Sequence, residues 1–224
     1  MGRPGLVLGM GPSHDMAIEG AYGLSYEHVG RHTEEYTRVV VAALRGDAVQ
    51  VDGDEFRVHA GSPTAAPFPV PVLLGALAPR MLRVAGEVAD GTITWMANHA
   101  ALESHVVPRI TAAAASAGRL APRVVAGLPV AVHDDVDEAR DAAARQYGFY
   151  GDLPNYRRIL RTGGLDRSAD ACIVGDEESV AAQLHALVDA GATDVWAAAF
   201  PVGDDRKASR ARTRALLEHL VHAD

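Results

Sequence analysis

Short runs of consecutive apolar residues, separated by stretches with helical spacing, recur along the chain and restrict its fold more than any other feature. Residues 6–8, 70–74, 92–96, 124–132 and 195–200 read as five strands. A strand apolar on successive positions is covered on both faces, as parallel strands are. Parallel neighbours need long crossovers, and the intervening segments supply them. Residues 26–44 place Val29, Tyr36, Val40 and Leu44 near helical spacing. Pro79 opens a helix through Val88, and residues 100–117 form another that Gly118 closes. Asp134 and Asp135 lead a helix carrying Val136, Ala139, Ala143 and Tyr147. Asp176 caps a helix that Gly191 stops, and residues 204–222 make a closing helix. Two excursions interrupt the alternation. Residues 49–58 carry a hairpin signal around Asp52-Gly53, and residues 148–164 are glycine- and aromatic-rich with a short helix predicted over 156–160. The pattern predicts an α/β fold. A doubly wound sheet and a closed barrel share it, and periodicity does not separate them.

Charge and cysteine usage narrow the function. The net charge is −8, and the basic run at 206–214 has Asp204, Asp205 and Glu218 nearby, as on a solvated helix face. Without a basic patch, a nucleic-acid partner is not expected. Cys172 is the single cysteine, so one chain cannot build a disulfide framework or a thiolate zinc site. Preceding Ile173-Val174, it reads as a buried or strand-end thiol, and the usage suits a reducing cytoplasm. The opening apolar run is too short and glycine-broken for a signal peptide. No stretch approaches the roughly 20 apolar residues of a membrane span.

Three segments could carry chemistry. In residues 8–15, Gly9, Met10 and Gly11 follow a strand, and glycines there let a flat ligand approach the backbone. Ser13 and His14 could donate to that ligand, and His14 could move a proton. Spacing alone also describes an ordinary turn with a helix cap at Ser13 or Asp15. In residues 74–81 a strand ends in small residues and a helix begins at Pro79. Amides at a helix N-terminus favour a phosphate, and Arg80 adds a charged donor. Many strand-to-helix junctions look the same and bind nothing, and no G-x-G-x-x-G or P-loop pattern is present. In residues 89–96, Trp95 and Met96 end a strand, where they either line a ring-binding cavity or pack in the core.

Metal chemistry finds little support. His28 and His32 have i, i+4 spacing, but no Glu stands between them in an H-E-x-x-H pattern, and no metal site is expected. There is no G-x-S-x-G nucleophile elbow.

Taken together, LVLGMGPSHDMAIEGAYG (6–23), PVLLGALAPRMLRVAGEVADGTITWM (71–96), RVVAGLPVAVHDDVDEAR (123–140) and VGDEESVAAQLHALVDAGATDV (174–195) resemble luciferase-like monooxygenases. The similarity is greatest to the oxidoreductases of that superfamily that depend on the deazaflavin coenzyme F420. Its most specific part is residues 78–92. The resemblance implies a (β/α)8 TIM barrel, with residues 1–224 forming one barrel domain whose first three βα units lie upstream, about 90 residues by the usual size of a barrel unit. The first visible strand would then be the family's fourth, leaving about five βα units.

Residue by residue, the resemblance implies that Met10 and Gly11 touch the ring or ribityl chain of the cofactor. Leu77, Ala78 and Arg80 would hold its phosphate through their amides, with Trp95 on the substrate side of the ring. Relatives that oxidise sugar phosphates carry a proton-donating glutamate where this chain has Pro12, so that substrate class is not expected. His14, two residues on, is the candidate catalytic replacement. The implied activity is hydride transfer between F420 and a small organic substrate, by a homodimer when full length. An FMN-dependent monooxygenase remains the alternative, as does an inactive fragment or a relative that only binds the cofactor.

Overall fold

A computed structural model describes residues 5–62, 66 and 68–223. Met1 to Pro4, part of the opening run considered above, lie outside the described residues. The chain divides into two compact units, residues 1–93 with 109–122, and residues 94–108 with 123–224.

In the first unit, β1 (Leu8–Met10) pairs in parallel with β4 (Val72–Gly75), and β4 with the start of β5 (Gly91–Trp95). The expected first strand, 6–8, is displaced to Leu8–Met10, because its hydrogen-bonded partner is Val72–Leu74. The hairpin forms as β2 (Val49–Asp52) and β3 (Arg57–Ala60). Its turn holds residues 53–56, since Asp52 pairs with Arg57. Helix α1 (Val29–Arg45) begins three residues later than predicted, because His28 turns into the left-handed region at φ 54°. Its buried stripe is Thr33, Thr37 and Val41, whereas Tyr36 is exposed and meets the Phe56 ring at 5.8 Å.

Helix α2 (Pro79–Glu87) buries Leu82, Val84 and Ala85. It passes close to α4 (Val107–Ser116): a Cβ on Gly86 would stand 2.5 Å from the Ile110 carbonyl oxygen. Asp90, in the most family-specific stretch, accepts from the Val72 amide at 2.9 Å and from Arg119 at 3.0 Å. Part of that motif therefore joins the amino ends of β4 and β5 rather than serving a ligand.

The predicted helix over 100–117 is three pieces: α3 (His99–Ala101) and a π-helical turn Leu102–Val106 in the second unit, and α4, most of which belongs to the first. Strand β6 (Arg123–Val132), almost wholly buried, pairs in parallel with β7 (Ile173–Gly175) and β8 (Asp194–Ala199). Strand β7 is one more than the five expected; three residues are too few to show a period. Asp135 caps α5 (Val136–Tyr147), and Asp176 caps α8 (Glu177–Asp189). The excursion after α5 is a 3-10 turn (Gly148–Asp152), then α6 (Pro154–Thr162) and the short α7 (Ser168–Ala171). Helix α9 (Arg206–Ala223) closes the chain. Among the described residues no helix is long and apolar enough to cross a membrane.

Candidate active site

Parallel pairing puts the carboxyl ends of β1 and β4 side by side in the first unit. Met10 is opposite Leu74, and a Cβ on Gly75 would lie 3.6 Å from both the Gly11 Cα and the Met10 carbonyl oxygen. A Cβ on Gly9 would meet nothing within 4 Å, and Gly11 is exposed. The backbone over Gly9 to Gly11 is thus open to a flat ligand, as glycines there allow.

Beyond Gly75 the chain enters α2 through Leu77 and Ala78. Ala78 is the N-cap, extended at φ −80° and ψ 151°, and offers no side-chain oxygen to the first-turn amides. Pro79 itself has no N–H, so the donors here are the amides around it. An uncapped helix start beside exposed glycine backbone suits an anionic group. The Arg80 guanidinium is half exposed and drawn back over α1, 3.5 Å from Glu34. A Cβ on Gly30 would stand 3.1 Å from the Arg80 side chain. Glu34 offsets part of its charge, which leaves the Arg80 amide as the more direct donor.

His14 is half-buried on the loop before a π-helical turn, Met16–Ala21. The loop is tied down locally. The Tyr26 hydroxyl donates to the Ser13 carbonyl at 2.9 Å, the Ala17 and Ile18 amides donate to the His14 carbonyl, and Glu19 accepts from the Tyr26 amide. Burial, aided by the charge of Asp15, raises the Tyr26 pKa, so this phenol remains a donor. Ser13 is left-handed at φ 58°. The loop is thus both the turn that spacing suggested and a support that fixes the position of His14.

The second unit holds Trp95 in an aromatic cluster. Its ring lies 5.0 Å from Trp196, 6.0 Å from Tyr150 and 6.2 Å from Tyr147. Tyr147 meets Phe200 edge-on at 5.5 Å. Tyr150 also meets Phe149 and Tyr156, at 4.1 and 4.8 Å. Gly127 makes room for both indoles: a Cβ there would stand 2.8 Å from Trp196 and 3.1 Å from Trp95. The Trp95 Nε1 is buried and has no hydrogen-bond partner. Burial first, then Cys172 and Tyr150, push the Tyr147 phenol up to about 12, so it stays protonated. Met96 takes the core role instead, fully buried with left-handed backbone at φ 63°.

Tyr147, Tyr150 and Trp196 were not singled out as site residues from the sequence. The available signal was Gly127, a glycine inside an otherwise apolar strand, which marks a close approach. Cys172 is buried, as its place before Ile173-Val174 suggested, and burial pushes its thiol up to about 12.

The profile of the luciferase-like monooxygenase family matches residues 2–194. The chain belongs to that family. Among its luciferase-like relatives is a 5,10-methylenetetrahydromethanopterin reductase from Methanolobus tindarius, 29% identical over 215 residues. That alignment covers 95% of this chain but only 64% of the relative, so the chain spans somewhat under two thirds of that protein. An F420-dependent secondary alcohol dehydrogenase, solved with an F420-acetone adduct, superposes with a TM-score of 0.72 at 18% identity, covering 95% of this chain and 69% of the other. The oxygenating constituent of 3,6-diketocamphane monooxygenase from Pseudomonas putida, solved with FMN, gives 0.65 at 16% identity, covering 94% and 68%. These neighbours have the fold expected for the luciferase-like family; one was solved with an F420 adduct and the other with FMN.

Proposed function

We propose that this chain belongs to an oxidoreductase that passes a hydride between coenzyme F420 and a small organic substrate. The observation that carries the reading is the uncapped start of α2 beside the open backbone of Gly11 and Gly75. The naming of reductase and dehydrogenase relatives as F420 or methylenetetrahydromethanopterin enzymes supports it. When bound, the deazaflavin supplies a carbon that accepts or gives up hydride. The amides of Leu77, Ala78 and Arg80 hold its phosphate, while Met10 and Gly11 present flat backbone to its ring or ribityl chain. His14 moves the proton that accompanies transfer, and Trp95 binds the substrate.

Ala78→Asp separates the helix from the ligand. Aspartate at an N-cap stabilises a helix by about 1 kcal/mol, yet it places a negative charge where the phosphate binds. The expected result is an unchanged or higher melting temperature with at least tenfold weaker F420 binding, read by quenching of the cofactor's fluorescence. Unchanged affinity overturns the phosphate assignment. His14→Gln is expected to leave binding intact and to slow turnover roughly 100-fold or more, the usual contribution of a positioned acid or base.

The second reading, an FMN-dependent monooxygenase, is favoured by the FMN-bound camphane enzyme among the structural neighbours. Parallel titrations with F420 and FMN distinguish the two. Binding without turnover of any substrate would assign the chain to cofactor binding alone.

A further inference from the structure

We infer that the aromatic cluster of the second unit is a subsite for an uncharged, flat substrate carrying a hydrogen-bond acceptor, with Trp95 Nε1 as the donor. The inference rests on the proposed role of Trp95 in binding the substrate.

Seven of the twelve aromatic residues in the chain, which holds two Trp, six Tyr and four Phe, gather here. A protein whose core is otherwise built from aliphatic side chains has concentrated its rings in one place. Core packing alone leaves two features unexplained. Trp196 is 49% exposed, so the cluster keeps an open ring face. The Trp95 indole N–H has no acceptor, and a buried donor without a partner destabilises the fold. A ligand that brings an acceptor removes that cost.

The rings of the cluster carry no charge to match a phosphate or carboxylate, and the nearest guanidiniums have donors committed to backbone carbonyls. Tyr147 stays neutral. Arg157 is engaged by the Gly151 and Asp152 carbonyls, and Arg140 by those of Ala169 and Cys172; Arg210 acts on Tyr147 only through its field. A flat neutral body stacks on such rings, and its carbonyl or ring nitrogen accepts from the indole. The N–H is covered, so a neighbouring ring must yield first. Tyr150 is the element able to do so, as it is half-buried on a five-residue 3-10 turn bounded by Gly148.

The test exploits the fact that both tryptophans of the chain lie in the cluster. Protein labelled with 15N in its indoles gives two N–H signals, assigned with Trp196→Phe. It is titrated, without any cofactor, with 2-acetylnaphthalene, naphthalene and glucose 6-phosphate. The expected result is saturable quenching of tryptophan fluorescence by the ketone and a downfield shift of the Trp95 signal. Naphthalene is expected to bind about tenfold more weakly without that shift, and the sugar phosphate to do neither. Once displaced, the Tyr150 ring stacks on the ligand, so Tyr150→Leu, on the surface turn, is expected to weaken the ketone about tenfold with unchanged melting. The inference is overturned if the folded protein shows no saturable response to the ketone, if naphthalene moves the Trp95 signal equally, or if the sugar phosphate competes. Because no F420 is present, these outcomes are independent of the cofactor assignment, which the Ala78→Asp titration tests separately.

Discussion

Glu35 accepts the amides of Asp54, Glu55 and Phe56, 19 to 21 residues further along, at 3.1, 2.9 and 2.8 Å. One carboxylate on α1 thereby holds the turn of the hairpin. Burial alone would raise its pKa. The N–H groups of Phe56, Glu55 and Asp54, with the charge of Arg31, outweigh that and lower it. A depressed carboxylate contributes stability above the ordinary glutamate range and loses it as the pH falls through the folded value. Glu35→Ala is expected to cost about 1–2 kcal/mol locally, less than three buried charged bonds would, because the site is partly exposed. Amide exchange at residues 54–56 measures it: protection should fall in the variant at neutral pH, and in the parent only on acidification. Unchanged exchange in the variant would show that the turn stands without the carboxylate. No spacing rule marks Glu35, since its partners are backbone groups remote in sequence. Glycine spacing and the helix start could point to Met10, Gly11 and Ala78 because the backbone, not a side chain, is the proposed binding surface there. The neighbours of Trp95 were not legible, because they come from segments up to 101 positions away, and only Gly127 hinted at them.

At the scale of elements, strand and helix types followed from periodicity, while boundaries moved where a specific backbone event intervened. His28 delays α1, and the partner strand β4 shifts β1. The helix expected at 100–117 contains a π-helical turn that no apolar period announces. Contact between α2 and α4 depends on Gly86, whose added methyl would meet the Ile110 carbonyl at 2.5 Å and the Ala113 side chain at 2.8 Å. Gly86→Ala should gain about 1 kcal/mol in helix propensity and lose more to overpacking, typically about 1–3 kcal/mol. A net fall in melting temperature is the expected outcome; a rise would mean the two helices separate freely. Arg212 joins α9 to Glu177 of α8 and to Asp134, each at 2.7 Å. These ions are exposed, so moderate salt should weaken the link with little change in global stability.

For the molecule as a whole, ligand linkage is the informative measurement. A cofactor that binds only the folded chain at 100 times its dissociation constant stabilises by about 2.7 kcal/mol. For a chain of this size that corresponds to roughly 5–10 °C in melting temperature. F420 is expected to produce this shift and FMN a smaller one; the reverse order would favour the monooxygenase reading. The alternation of strands and helices made the α/β class legible, but the barrel came from family resemblance, since periodicity does not record how a sheet closes.

Cys172 has a practical consequence. Sealed between α7 and β7 at 1% exposure, with its sulfur held as the protonated thiol, it is silent toward alkylating reagents while the native state persists. A maleimide or iodoacetamide pulse should therefore modify only molecules that have opened, and mass spectrometry would count them one adduct at a time. The same silence gives spectroscopists a blank background: a spin label or dye placed on a new surface cysteine would report from that position alone.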